Sequence, residues 1–190
     1  MGNVSMGVDS TKLEASGLLA INGRLSLTVV DPDGNVVDKR EGDNTMCTAG
    51  LTALVNALVW SGVQDQAASL GIPSATYLTP LYGAIGSGTT PATAADTLLT
   101  AELARVTVGA GSSTPATPTI NAQVIWTFYF ATPATSYTVG EAGVFANGSA
   151  NGSTVATAGT LLDHWVFTPT VTVSNPNTMI LQATFQLAGV

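Results

Sequence analysis

Two short pairs of residues hold most of the reactive chemistry this chain can offer. Its single histidine, His164, directly follows Asp163, and its single cysteine, Cys47, lies four residues after Asp43. An aspartate–histidine couple can move protons, and a thiolate can attack electrophiles. The spacing argues against both uses. Neighbours on a strand point to opposite faces, so Asp163 and His164 cannot form a dyad with each other. His164 then reads as a surface or hydrogen-bonded residue without a catalytic role. The acidic context from Asp43 raises rather than lowers a thiol pKa, so Cys47 reads as a small core residue.

Metal and phosphate chemistry fare no better. The only dense acidic group is Asp31, Asp33, Asp38, Glu41 and Asp43. DPDGN at 31–35 echoes a calcium loop, but the later ligands and the closing glutamate are missing, so a turn is expected. GAIGSGTT at 83–90 contains GxxGxG. A phosphate loop needs a helix N-terminus and usually a lysine, whereas here Pro91 follows. The glycines instead allow a tight exit from a strand ending near Ile85. No catalytic, cofactor-binding or metal-ligating residue is expected, and no cofactor.

The elements that would position such residues are themselves short of charge. Beyond Arg40 the only basic residue is Arg105. Charged residues are 9% of the chain, against roughly 25% in ordinary soluble domains. Residues 9–43 hold eleven of the seventeen charges. A net charge of −7 with five Lys and Arg makes nucleic-acid and anionic-membrane binding improbable. Residues 1–17 lack the basic and apolar regions of a signal peptide and read as an extended N-terminal arm. The remainder, 18–190, suits one domain. Low charge with abundant Thr, Ser, Gly and Ala suits surfaces that pack against copies or partners.

Periodicity predicts a mainly β chain. Leu25, Leu27 and Val29 alternate with polar residues, DPDGN turns, and 36–41 returns as a hairpin. Further strands are expected near 77–86, 103–109, 120–131, 137–146, 160–168 and 178–188. Val124, Trp126, Phe128 and Phe130 share one face; Met179, Leu181, Ala183, Phe185 and Leu187 share another. Residues 48–60 are the one helix, with Leu51, Leu54, Val55, Leu58 and Val59 in a stripe expected to pack on its own sheet. Asn44 or Thr45 can cap its start. Eight strands and one short amphipathic helix predict an antiparallel β-sandwich. GSSTPATPT at 111–119 and ANGSANGST at 146–154 are expected as exposed tips, and Pro169 and Pro176 as turn residues. Glu102 and Arg105 are expected to pair, with each other or with Glu141.

The segment 82–105, YGAIGSGTTPATAADTLLTAELAR, resembles a pattern common in virion structural proteins of tailed bacteriophages. There a strand with a GxGTT loop leads through Pro-Ala and Asp-Thr-x-Leu to Glu-Leu-x-Arg. VGEAGVF at 139–145 resembles a further strand of those proteins. TLLDHWVFTPTVTVSNPNTMILQATFQL at 160–187 resembles their closing hairpin, and LTVVDPDGNVVDKREGDNTMCTAGL at 27–51 their opening. The resemblance covers about 25–188 and implies a non-enzymatic virion component. A capsid decoration (cement) or head-attached protein is the leading expectation; a tail, collar, baseplate or fibre subunit is the alternative. It also implies a homo-oligomer, with a trimer favoured, bound to major capsid or tail proteins in the virion. A carbohydrate-binding adhesion module is a further alternative. Its support is thin, because Trp126 and Trp165 alternate into apolar faces and leave Trp60, Tyr77 and Tyr82.

Overall fold

The computed structural model describes residues 19–52, 82–108, 122–146 and 159–189. β1 (Leu19–Val30) and β2 (Val36–Asp43) form the expected antiparallel hairpin. Asp31 builds its turn. Its Oδ1 accepts the Asp33 and Asn35 N–H groups at 3.0 and 2.8 Å, and Asn35 Nδ2 donates to its Oδ2 at 3.0 Å. Gly34 supplies the positive φ, 87°, that the reversal requires. The Asn35 bonds hold the Asp31 carboxyl below its ordinary value. That carboxylate is engaged in closing the turn.

Seven more strands follow among the described residues: β3 (Thr45–Met46), β4 (Tyr82–Gly86), β5 (Glu102–Thr107), β6 (Ala122–Phe130), β7 (Tyr137–Ala146), β8 (Thr160–Val173) and β9 (Thr178–Gly189). β2-β1-β9-β6 make a four-stranded sheet and β3-β8-β7-β4-β5 a five-stranded one. All their pairings are antiparallel. The sheets share one apolar core. Leu25, Leu27, Val29, Phe128, Phe130, Met179, Leu181 and Ala183 come from the first, and Ile85, Val139, Ala142, Val144, Trp165, Phe167, Val171 and Val173 from the second. This is the mainly β, sandwich-like architecture that the alternation predicts. Trp126 packs at its margin, edge-on to Phe185 at 5.2 Å.

Several details differ from expectation. β3 adds a ninth strand: two residues are too few to show a period. Residues 48–52 are helical (α1), and Leu51 N–H donates to Cys47 O, so the helix starts after Cys47. Neither Asn44 nor Thr45 caps it. Thr45 pairs with His164 in β3, and the Asn44 side chain bonds Asp163. Leu51, first of the expected stripe, is 41% exposed, while 53–60 lie outside the described residues. The expected closing hairpin is not one. β8 and β9 meet at the Ser174–Asn177 turn but belong to different sheets, so the turn is a crossing. Pro169 lies inside β8 rather than in a turn, where the β7–β8 register jumps between Val139 and Glu141. The arm at 1–17, residues 77–81, Trp60, the 111–119 tip and most of the 146–154 tip lie outside the described residues.

Candidate functional site

Residues of the five-stranded sheet that do not face the shared core face outward, under the segment between β4 and β5. The register sets which they are. Ala142 and Val144 enter the core, so Glu141, Gly143 and Phe145 point outward, and His164, opposite Gly143, points with them. Ala84, Phe145, Leu161, Leu99 and Cys47 form a second apolar cluster here. Apolar packing keeps water away from the polar groups among them.

His164 is the centre of that polar group. Its Nδ1 lies 2.7 Å from Asp96 Oδ2 and its Nε2 3.1 Å from Glu141 Oε2. His164 is 1% exposed and Glu141 0%. Both partners are carboxylates, so both ring nitrogens donate and the ring is the imidazolium. Burial works against that charge, but the Glu141 and Asp96 bonds outweigh it and raise the His164 pKa. Asp163 indeed forms no couple with its neighbour. The partners of His164 lie on β7 and in the covering segment, 23 and 68 residues away in sequence. Of the two expected readings, surface or hydrogen-bonded, His164 takes the second.

Glu141 pins the covering segment at both ends. Its Oε1 accepts the N–H groups of Gly88 at 3.1 Å and Ala101 at 2.7 Å, and its Oε2 that of Thr100 at 3.0 Å. Ser87 N–H closes the neck onto Ala101 O at 2.8 Å. Asp96 holds the middle, accepting Thr93 N–H at 2.8 Å and Thr93 Oγ1–H at 2.7 Å. Burial alone would raise the Glu141 pKa; His164 and the three backbone donors instead bring it down to about 2. Asp96 is likewise lowered: burial is outweighed by the Thr93 bonds and His164. The glycines of GAIGSGTT find their reason here. A Cβ on Gly86 or Gly88 would collide with the Glu141 carboxylate. The loop cradles an anion after all, and the anion is the chain's own side chain.

Beside this cluster Arg105 makes a two-bond pair with Glu102, at 3.0 and 2.6 Å, and stacks over Phe145 at 3.7 Å. Residues three apart on a regular strand face opposite ways. The bulge between Ala104 and Glu102 opposite Ile85 and Gly86 restores a common face. Of the two expected partners, Glu102 is the one used. Cys47 is fully buried, and its thiol is pushed up to about 12, by burial first and then by Asp163 and Asp96 rather than Asp43.

An acid–histidine–acid chain resembles the orienting half of an acid–base catalyst. A general base, however, needs a free lone pair within reach of the substrate. Both nitrogens of His164 are occupied by carboxylates, and the ring is sealed. The arrangement stores charge and fixes backbone. Among the described residues no group of three or more His, Cys, Asp or Glu is placed to hold a metal ion. Nor is any helix among them long and apolar enough to cross a membrane. Sequence reasoning missed Asp96 and Glu141 as partners of His164. One signal was available: after Asp43 the chain has six charged residues, so a carboxylate inside an apolar strand needs a specific reason to be there. No protein-family model, curated protein or solved structure matches this chain.

Proposed function

We propose that this chain is a non-enzymatic structural subunit of a tailed-phage virion, a capsid decoration (cement) or head-attached protein. The observation that supports a structural role is the Glu141–His164–Asp96 cluster, in which His164 and Glu141 are buried. Its polar bonds fasten the β4–β5 segment to the sheet and occupy both nitrogens of His164. The virion assignment rests on the resemblance of 82–105, 139–145 and 160–187, with the closing piece now a sheet crossing. Neutral surfaces fit such a role. On the outer face of the four-stranded sheet, Tyr129, Ile180, Thr28 and Lys39 lie in one cross-strand row, and Thr127, Gln182, Ser26 and Glu41 in the next, so the face is neutral across β6, β9 and β1 and charged only at its β2 edge. Few charges there would have to be desolvated at a contact.

Light scattering on the purified chain tests the assembly, and a trimer is the expected mass. Mass spectrometry and a particle map of virions from the source lysate test the location. A chain that stays monomeric at high micromolar concentration and is missing from the virions overturns the proposal.

A further inference from the structure

Asn44 is the single residue between β2, an edge of one sheet, and β3, an edge of the other. Its N–H reaches Gly23 O on β1 at 3.4 Å, and its Nδ2 donates to Asp163 Oδ2 on β8. One residue thus ties together both sheets at the corner where the chain passes between them. Asp163 is 0% exposed. It lies opposite Val144, a shared-core residue, and so points inward, away from the His164 cluster.

The remaining oxygens of this pair pose a problem. Asp163 Oδ1 and Asn44 Oδ1 are both buried, and neither has a hydrogen-bond partner. If Asp163 is ionised, both are acceptors and both stay unsatisfied, which destabilises the folded state. A single proton on Asp163 Oδ1 turns that atom into a donor. It can then give its hydrogen to Asn44 Oδ1, and one proton satisfies both atoms. Turning the amide over does not avoid the requirement, because a carboxylate still offers no hydrogen to the amide oxygen.

We infer that Asp163 is kept as the neutral acid, in a two-bond acid–amide pair with Asn44, and that this pair is a pH-sensitive latch joining the two sheets at the β2–β3 corner. The surroundings agree. Burial pushes the Asp163 pKa up to about 8, and the opposing effects of the Asn44 amide and of His164 are smaller. The titratable group on the β3–α1 junction is the Cys47 thiol, which lies with the outward apolar cluster, feels the Asp163 charge through space and is neutral. His164 belongs to β8 but points to the other face, and Asp96 reaches Cys47 from the covering segment. Among the described residues no Lys or Arg contributes to the balance at Asp163. Ionisation would leave a buried carboxylate with only the Asn44 amide and, more weakly, the His164 backbone N–H as donors. β3, two residues long and held only to β8, is the element that would release.

The first test is the pH titration of the Asp163 side-chain carboxyl by carbon-13 NMR in the full chain, assigned through its bonded backbone resonances. A midpoint above about pH 6 is expected, and one at or below it, in the range of ordinary carboxylates, overturns the inference. The second test is hydrogen exchange of residues 44–47. Protection, corrected for intrinsic rate, should fall by tenfold or more as pH rises through the Asp163 midpoint. In Asp163→Asn, where an amide takes the place of the acid and cannot ionise, protection should stay constant. The same loss of protection in that variant rejects the latch. Should the variant fail to fold, the titration of the unaltered chain still decides.

Discussion

Glu141 and Asp163 are both carboxylates, both 0% exposed, on neighbouring strands, yet they are driven in opposite directions. Glu141 goes down to about 2 and Asp163 up to about 8. Burial is the first cause at each and favours the neutral acid at each. The difference lies in the donors. Glu141 receives three backbone N–H groups and an imidazolium. Asp163 receives one side-chain amide and, more weakly, the His164 backbone N–H, with an acceptor beside it. Burial sets how much the protonation state matters; the donor count sets which state it is. The fold produces that contrast from one register. Outward residues of β7 and β8 meet the backbone of the covering segment, rich in free N–H groups, and inward ones meet the apolar core.

The largest effect should come from removing the satisfied charge. Glu141→Ala leaves three backbone N–H groups and one side of His164 without an acceptor. Breaking a buried pair from one side costs about 3–5 kcal/mol. Urea unfolding should show that loss, and exchange at Gly88, Thr100 and Ala101 should become fast. Phe128→Ala, a fully buried apolar truncation packed on Gly83, should cost a similar ~3–5 kcal/mol. Its cost should not vary with pH. If the Glu141→Ala loss is equally flat between acid and neutral pH, the charge at Glu141 is not what holds the segment.

The sign of the pH dependence sharpens the contrast further. Glu141 has its folded pKa lowered, so its contribution is present above its ordinary 4.5 and lost as pH falls through about 2. His164 has its folded pKa raised, so its contribution is present below 6.5 and lost as pH rises through the raised value. Asp163 is also raised; its contribution is present below 3.8 and lost as pH rises through about 8. The Glu141 and His164 contributions overlap between pH 4.5 and 6.5, and because the Asp163 contribution already declines across that window the stability maximum is expected at its acid end. Urea midpoints measured at constant ionic strength across that range would locate it. In Asp163→Asn the alkaline limb should become shallower and the acid limb should not change. A maximum above neutral pH would contradict the assignment at both residues.

Much of the sandwich was readable, because β6 and β9 carry an unbroken period of two with one apolar face. β3 was not, since Thr45 and Met46 are too few to alternate. The β8–β9 crossing was hidden for another reason. Alternation identifies a strand and its buried face but not its partner, and Ser174–Asn177 reads equally well as a hairpin turn or a step between sheets. Asp163 and His164 mark the same boundary at the site. Opposite faces were correctly deduced, but what waits on each face depends on Asn44, Asp96 and Glu141. Those residues are brought there by tertiary contact from 23 to 119 positions away.

The smallest effect is expected from a carboxylate with more cations nearby than Glu141 has. Glu41 on β2 accepts from Arg24 at 2.7 Å and meets Lys39 as well, and these partners lower its pKa. All three side chains are open to solvent, at 58% exposure for Arg24, 52% for Lys39 and 35% for Glu41. Water and salt screen such pairs, and ordering two long side chains offsets the attraction that remains. Glu41→Gln should therefore leave the urea midpoint unchanged within error, at low and at high salt. Glu141→Gln, which keeps the shape and removes the charge, should lower it clearly and lose its acid-side pH dependence. A Glu41→Gln effect as large as that of Glu141→Gln would mean that cation proximity, not the enclosure of backbone donors, sets the strength of a carboxylate in this fold.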